Sequence, residues 1–314
     1  MIYKWDIIGH ETQISQLERE IETGNISHAY LFSGPKDVGK FRVARIFANI
    51  LQCPHDFCRR CKDCQMIANG THLDTLLVPD DGSTIHIDEV RELIRKTNLT
   101  AQSRYRLIVI ENIERMPIEA QNSFLKTLEE PPGRTVFLLT STKVSQVLPT
   151  ILSRVRLYEF SNVDDPVLET YLRQKFGDHT DLSEIIEIAQ GRPGLAIHLI
   201  KDPVALSDQR NVYRQIDFFL KKNDLAQKFQ FVESVSKGEG ATGKTLELFF
   251  DAFSRYLRKL LFDYMRQKDH PLRARFTLKE IADLFESLEK TRYLIDRNVN
   301  LKLALENLFL QTEK

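Results

Sequence analysis

Apolar residues follow two different patterns along the first half of the chain. Short segments that are apolar throughout alternate with longer segments in which apolar residues recur every three or four positions. The first pattern is typical of strands buried on both faces of a parallel sheet, and the second is typical of amphipathic helices. The predicted strands are Ala29–Phe32, Asp74–Val78, Arg106–Asn112, Thr135–Thr140 and Arg156–Phe160. Because strands and helices alternate, we expect an open parallel α/β sheet with ligand chemistry at the carboxyl ends of its strands.

The helical pattern changes the picture in the second half of the chain. The helices predicted among the strands are Ile14–Ile21, Phe41–Ala48, Ile87–Thr97, Glu119–Glu130 and Val144–Leu152. From about Val163 onward the pattern is helical only. We therefore predict an α/β domain at 1–161, a small helical lid at 162–204 and an all-helical domain at 205–314, which suits a chain of 314 residues.

Composition excludes several classes of protein. Lys and Arg together number 44, as do Asp and Glu, so there is no overall basic field, and any nucleic-acid contact would be local or shared with partners. The first residues lack a signal-peptide pattern, and no apolar run approaches the length of a membrane span. We expect a soluble cytoplasmic protein.

The segment from the first strand to the second helix carries candidate phosphate-binding chemistry. Gly34–Lys40 fits the pattern G-x-x-x-x-G-K, in which loop amides and a helix N-terminus cradle phosphates and the lysine reaches the β- and γ-phosphates. The next residue should be Ser or Thr, which holds Mg²⁺, but Phe41 has no side-chain oxygen. The sequence leaves open whether ATP still binds at Gly34, Gly39 and Lys40.

A second element of nucleotide hydrolysis also departs from the usual pattern. The end of a buried strand in such enzymes carries Asp for the metal and, in many, Glu for the attacking water. Glu111 and Asn112 stand at these positions, and an Asn cannot accept a proton as Glu does. A complete G-x-x-x-x-G-K-T match at Gly238–Thr245 has no preceding strand, so we interpret it as a helix–helix connection.

All four cysteines lie within residues 53–64. Cys53, Cys58, Cys61 and Cys64 have the spacing C-x4-C-x2-C-x2-C, which suits four thiolates around one tetrahedral zinc ion. Because protein fills every coordination position, the predicted zinc is structural. The alternatives are that His55 replaces one ligand, or that these are buried free cysteines or a redox pair.

Several stretches together resemble the clamp-loader family of bacterial DNA polymerase III. They are His28–Gly34, the four-cysteine insertion after the loop helix, Leu125–Pro132 (LKTLEEPP), Leu148–Arg154 (LPTILSR) and Asn298–Leu308. The resemblance covers nearly the whole chain. It implies an AAA+ protein of DNA replication, with a nucleotide-binding domain, a helical lid, and a helical collar at 205–314 that assembles a pentamer.

Within the family, the departures at the nucleotide site resemble the non-hydrolysing stator rather than the ATP-hydrolysing motor subunit. The motor carries Thr at the position of Phe41, Asp-Glu at Glu111–Asn112 and a lid arginine at the position of Gly194, where this chain has Arg192 displaced by two residues. Ser153 and Arg154 resemble the family's S-R-C motif. That likeness implies that Arg154 is an arginine finger acting in trans on a neighbour's ATP site.

The resemblance also implies partners, which are the motor (gamma/tau) and delta subunits in the ring and, through the complex, the sliding clamp and primed DNA. Three alternatives stay open at this point. Arg154 could pair with a local carboxylate, the chain could be a slow ATPase that uses Lys40 and Glu111, or it could be a zinc-dependent adaptor for which nucleotide is irrelevant.

Overall fold

The computed structural model describes residues 3–55, 57–99, 101–222, 224–237, 243–266, 271–295, 297 and 299–312. The chain divides into two compact units, residues 1–197 and residues 198–314. Among the described residues, no helix is both long and apolar enough to span a membrane. The predicted domain limits at 161 and 204 stay predictions.

Five parallel strands form the sheet of the first unit, in the spatial order β2-β3-β4-β1-β5. The strands are β1 (Ala29–Ser33), β2 (Thr75–Val78), β3 (Arg106–Ile110), β4 (Thr135–Ser141) and β5 (Arg156–Glu159). In register, Ala29 lies opposite Phe137 and Tyr30 lies opposite Arg156. The predicted open parallel α/β sheet is confirmed.

The apolar runs are continuous because helices cover both faces of the sheet. Successive residues of a strand point to opposite faces, so Tyr30 and Phe32 pack in one core with Phe47, whereas Leu31 packs in the other core with Phe137. The strands β1, β3 and β4 are buried at every position, and the edge strand β5 is buried only at Tyr158.

The helices of the first unit agree with the sequence pattern in most cases. They are α1 (Glu11–Thr23), α2 (Lys40–Gln52), α3 (Lys62–Ala68), α4 (Ile87–Thr97), α5 (Ile118–Glu129), α6 (Pro149–Leu152), α7 (Asp165–Phe176) and α8 (Leu182–Ala189), followed by α9 (Pro193–Lys201), which contains the boundary between the units. The helix predicted at Ile87–Thr97 is confirmed to the residue.

The single helix predicted at Val144–Leu152 is wrong. A short 3-10 turn at Val144–Gln146 is followed by two extended residues and then by α6. Proline disfavours helical geometry at the residue before it, and Leu148 is accordingly extended, with ψ 135°.

The second unit is helical throughout its described residues. Its helices are α10 (Pro203–Lys221), α11 (Leu225–Lys237), α12 (Gly243–Met265), α13 (Leu278–Ile295) and α14 (Leu301–Leu310), with a 3-10 turn at Pro271–Ala274. Phenylalanines in edge-to-face contact lie in the core, with 5.1 Å between the ring centroids of Phe219 and Phe309. Residues 238–242 of the second G-x-x-x-x-G-K-T match and Asn298 lie outside the described residues.

Candidate functional site

The phosphate-type loop joins β1 to α2 and depends on its two glycines. Gly34 has φ 140°, and a Cβ there would lie 2.1 Å from the carbonyl oxygen of Phe160. Gly39 has φ 105° and caps the N-terminus of α2. Glycine favours both backbone angles, and at Gly34 the close approach also excludes a side chain. The loop therefore keeps the backbone geometry that its sequence pattern predicts.

The side chain of Lys40 is folded back onto this loop. It is 5% exposed, and its Nζ donates to the carbonyl oxygens of Gly34 at 2.8 Å and of Pro35 at 2.6 Å. Burial lowers the pKa of Lys40 to about 8, although the charges of Glu114, Asp37 and Glu111 act in the opposite direction. The amine therefore bonds to loop carbonyls in the region where it would meet phosphate oxygens.

Two neighbouring elements hold the same loop from outside. The ring Nε2 of His10, just before α1, lies 3.2 Å from the carbonyl oxygen of Val38. The backbone N–H of Gly194, in the first turn of α9, donates to the carbonyl oxygen of Asp37 at 2.7 Å. Burial lowers the pKa of His10, which favours the neutral ring. Helix α9 thus rests directly on the loop.

The contact at position 194 leaves little room for a side chain. A Cβ at Gly194 would lie 2.8 Å from the carbonyl oxygen and 3.3 Å from the Cα of Asp37. Arg192 is buried, and its Nε donates to the carbonyl oxygen of Ala189 at 3.0 Å, within its own helix connection. The close packing of α9 against the loop therefore favours glycine at this position.

At the end of β3, both predicted hydrolysis positions are engaged with Asp80. The Oε2 of Glu111 accepts from the backbone N–H of Asp80 at 3.0 Å, and the Nδ2 of Asn112 donates to Oδ2 of Asp80 at 2.6 Å. Arg115 also pairs with this carboxylate, at 3.3 Å. Burial raises the pKa of Glu111. Asn112 thus donates a hydrogen bond to the carboxylate of Asp80, which a negatively charged glutamate at position 112 would repel.

Sequence reasoning missed Glu114, which completes this polar group. Its Oε1 accepts from both the backbone N–H and the hydroxyl of Thr142, at 2.7 and 2.6 Å, just beyond the end of β4. Its charge also acts on Lys40. The available signal was that Glu114 and Thr142 each follow a predicted strand by a few residues, and neighbouring parallel strands end at one edge.

Ser153 and Arg154 lie in the turn between α6 and β5. The Nη2 of Arg154 lies 2.6 Å from Oε1 of Glu129, and Nη1 donates to the carbonyl oxygen of Thr150 at 2.7 Å and to Oγ of Ser153 at 3.0 Å. The Arg154 side chain is 35% exposed. In the chain alone, then, the guanidinium pairs with a local carboxylate, which is the geometry of the alternative interpretation, while it stays at the surface.

The four cysteines meet at one point. Their Sγ atoms all lie within 4.8 Å of one another, and His55 is not part of this group of described residues. The Sγ of Cys53 lies 3.8 Å from those of Cys58 and Cys61. A tetrahedral zinc ion with Zn–S bonds of about 2.3 Å would separate its ligands by about 3.8 Å. The cluster is compatible with structural zinc, and Cys53, Cys58, Cys61 and Cys64 would hold the ion.

Local backbone geometry presents these sulfurs. Cys61 is the N-cap of α3, and its Sγ accepts from the backbone N–H of Cys64 at 3.5 Å. The N–H of Cys61 donates in turn to Sγ of Cys58 at 3.3 Å. Backbone N–H groups, those of Arg60 and Cys61 first, lower the pKa of Cys58 to about 6, whereas burial raises the pKa of Cys64. Amide donors of this kind stabilise thiolate ligands.

The strand order, the glycine loop between β1 and α2, and the helices that follow the sheet define an α/β AAA+ fold. A family model described as "DNA polymerase III, delta subunit" matches residues 9–164. Residues 9–164 therefore match the clamp-loader family of DNA polymerase III, whose members are related to the delta, gamma and tau subunits.

Individual relatives of this chain are subunits of DNA polymerase III. The tau subunit from Bacillus subtilis is 34% identical over 163 residues, covering 50% of this chain and 29% of that protein. The gamma subunit from Buchnera aphidicola (subspecies Schizaphis graminum) is 31% identical over 212 residues, covering 64% of this chain and 58% of that protein. The chain therefore spans less than two thirds of the length of these two subunits. A solved gamma-subunit-related protein from Thermotoga maritima has 20% identity and a TM-score of 0.49, covering 95% of this chain and 98% of that one.

Proposed function

We propose that this chain is the delta-prime-type stator of a DNA polymerase III clamp loader. In this role it holds the motor (gamma/tau) and delta subunits in a ring that loads the sliding clamp onto primed DNA. It does not hydrolyse ATP itself. Instead, Arg154 completes the ATP site of a neighbouring motor subunit, and the cysteine-bound zinc is structural.

The observation that carries the first half of this proposal is the position of Lys40. Its Nζ is bonded to the carbonyl oxygens of Gly34 and Pro35, and Gly194 closes on the loop without a lid arginine. Phe41 supplies no metal ligand, and Asn112 is bonded to Asp80. Positioning and charge stabilisation are nearly all that phosphoryl transfer requires of a protein. The absence of a metal ligand at Phe41, of a base at Asn112 and of an arginine at Gly194 therefore supports a subunit that does not hydrolyse ATP.

The role of Arg154 is supported by its chemistry and its place at the surface. A guanidinium fork matches the geometry of phosphate oxygens, and an arginine finger supplied in trans increases phosphoryl-transfer rates by several orders of magnitude. Arg154 is partly exposed in a turn that follows α6. Binding to a neighbour's nucleotide would exchange its contact with Glu129 for one with phosphate.

The first experiment measures steady-state ATP hydrolysis by the purified chain with Mg²⁺, with and without DNA. We expect no turnover above background, and no change in Lys40→Ala. A rate that disappears in Lys40→Ala would overturn the stator assignment and establish a working motor.

The second experiment places Arg154→Ala in the reconstituted ring and measures the ATPase of the motor subunits. The rate should fall by about a hundredfold or more. Arg173→Ala is the matched control, because Arg173 is also exposed and also pairs with nearby carboxylates, those of Glu169 and Asp178. If both variants leave the rate unchanged, the finger assignment is wrong.

A slow ATPase is the second candidate function. Gly34, Gly39 and Lys40 retain the loop geometry, and Glu111 lies close enough to influence the pKa of Lys40. Turnover lost in both Lys40→Ala and Glu111→Gln would establish this function. A zinc-dependent adaptor is a third candidate, and it would lose every partner on zinc removal while Arg154→Ala had no effect.

A further inference from the structure

A cavity of about 590 Å³ lies between helix α2 and the cysteine module, within the first unit. Residues from both sides line it, among them Phe41, Arg42, Arg45, Asn49, Phe57 and Arg59. Its volume is in the range of protein sites that take one small ligand or a few side chains. It is separate from the carbonyl-bonded amine of Lys40 and from Arg154.

Cationic and aromatic groups dominate the cavity. Arg42 is exposed, and its side chain donates no hydrogen bond within the part of the chain that the structure describes. Arg45 donates to a carbonyl oxygen, that of Ala68, at 3.2 Å. Arg59 pairs with Asp6 at 2.5 Å. None of the described residues lining the cavity carries a carboxylate, so the cavity has an excess of positive charge.

The arginines lie against aromatic rings. The guanidinium carbon of Arg59 is 4.6 Å from the ring centroid of Phe57, and that of Arg45 is 6.0 Å from the ring centroid of Phe41. Contacts of this kind orient a guanidinium. Arg59 already donates from Nη1 to Oδ2 of Asp6 and from Nη2 to the carbonyl oxygen of Lys4, so Arg42 and Arg45 are the donors that an anion would meet. The cavity thus combines oriented donors for carboxylates with apolar surface for a bulky side chain.

The cysteine cluster presets one wall of this cavity. Phe57 and Arg59 flank Cys58, and both have left-handed backbone geometry, with φ of 63° and 59°. Such geometry is unfavourable for residues other than glycine and persists only where surrounding structure imposes it. Closure of the four sulfurs is the evident constraint, and it carries Phe57 and Arg59 towards α2.

We propose that this cavity binds a short acidic peptide segment of a partner protein, with carboxylates on either side of one bulky apolar side chain. Arg42 and Arg45 contact the carboxylates, and Phe41 and Phe57 contact the apolar side chain. A nucleic-acid strand fits less well, because strand binding relies on an extended basic groove that follows several phosphates. The chain has no overall positive charge, and these cations are confined to one cavity.

The test is fluorescence anisotropy with the full chain and three labelled probes. The first is a peptide in which aspartates flank a single phenylalanine, the second replaces its aspartates with asparagine, and the third is an oligo-dT strand. We expect binding of the first peptide, weakened at least tenfold by asparagine and by added salt. Equal or tighter binding of oligo-dT would overturn the proposal.

Variants locate the binding site. Arg42→Glu should weaken the acidic peptide at least tenfold, and Arg42→Lys should weaken it less, because Lys keeps the charge but loses the fork. Arg91→Glu is the control, since Arg91 is exposed on α4 and the substitution changes net charge equally. Zinc content and thermal unfolding check that Arg42→Glu is folded. Unchanged affinity in folded Arg42→Glu, or equal losses in Arg91→Glu, would overturn the assignment.

Discussion

The nucleotide loop and the cysteine cluster lie at opposite ends of one helix, α2, and have kept different parts of their chemistry. The loop keeps its backbone geometry, with Gly34 and Gly39 in place. Lys40 and Asn112, however, bond to groups of the protein itself, and Gly194 of α9 bonds the loop backbone. The cluster keeps its complete ligand set within 4.8 Å. The loop holds its shape through contacts with the rest of the protein, whereas a metal cluster holds its shape through its ligands.

The difference has a physical cause. Buried polar groups rarely lack partners. Around the loop, Lys40 bonds carbonyl oxygens, Asn112 bonds a carboxylate, and one oxygen of Glu114 accepts from a hydroxyl group of the protein. Four thiol groups packed together form only weak hydrogen bonds with one another, whereas their thiolates bind a metal ion strongly. We therefore expect the loop to be stable without its ligand and the cluster to depend on zinc.

The largest effect should come from Cys64→Ser. Removing one ligand should abolish zinc retention during dialysis and lower the free energy of unfolding by several kcal/mol, because zinc binding contributes directly to folding. Zinc analysis and chemical denaturation measure the two quantities. His55→Ala is the control and should keep its zinc. If His55→Ala loses zinc and Cys64→Ser retains it, the four-cysteine ligand set is wrong.

The next effect concerns the contact between α9 and the loop. In Gly194→Arg, the new Cβ would lie 2.8 Å from the carbonyl oxygen of Asp37, and we expect a loss of about 2 kcal/mol in the free energy of unfolding. Gly194→Ala adds the same Cβ and should show most of this loss. Denaturation curves that match wild type for both variants would show that α9 does not rest on the loop as described. Neither variant should gain ATP turnover.

The pKa of Lys40 predicts a pH dependence of stability. Because the folded pKa is about 8 and the ordinary value is 10.5, the unfolded chain binds one more proton between these values. The free energy of unfolding should therefore rise with pH in this window, by about 1 kcal/mol per pH unit relative to Lys40→Met. Denaturation of both proteins across the window measures this difference.

Nucleotide sharpens the same measurement. Bound phosphate would favour the charged amine and raise its pKa, which would flatten the slope. We expect Mg-ATP to leave the slope unchanged. A slope that disappears with Mg-ATP would show that the loop still binds nucleotide. A slope that is absent in the free protein would contradict the buried position of Lys40.

The smallest effect on stability should come from Glu129→Gln. The pair between Glu129 and Arg154 is largely exposed, and exposed ion pairs contribute less than about 1 kcal/mol. In the reconstituted ring, however, the variant should raise the ATPase rate of the neighbouring subunit. Arg154 would not have to break an ion pair with Glu129 before it contacts the phosphate. A loss of several kcal/mol, measured by denaturation, would instead identify the pair as a structural contact.

The sequence predicted the parts of this protein that short segments encode. Continuous apolar runs identified the strands, because both faces of a parallel sheet are buried, and α4 was predicted to the residue. The spacing of the cysteines predicted a four-sulfur cluster. The prediction of one helix at Val144–Leu152 was wrong because it relied on the helical spacing of apolar residues and neglected Pro149, which disfavours helical geometry at Leu148. The roles of Lys40 and Arg154 stay predictions.

Contacts between distant segments could not be predicted in this way. Apolar periodicity and motif spacing describe neighbours along the chain. They therefore could not predict three contacts between distant residues: Gly194 with Asp37, Glu114 with Thr142, and Glu129 with Arg154. The sequence by itself determined the sheet, the loop and the ligand spacing. Only the tertiary structure decided which polar groups form hydrogen bonds or ion pairs with each other, because these pairings depend on which strand ends and turns lie side by side.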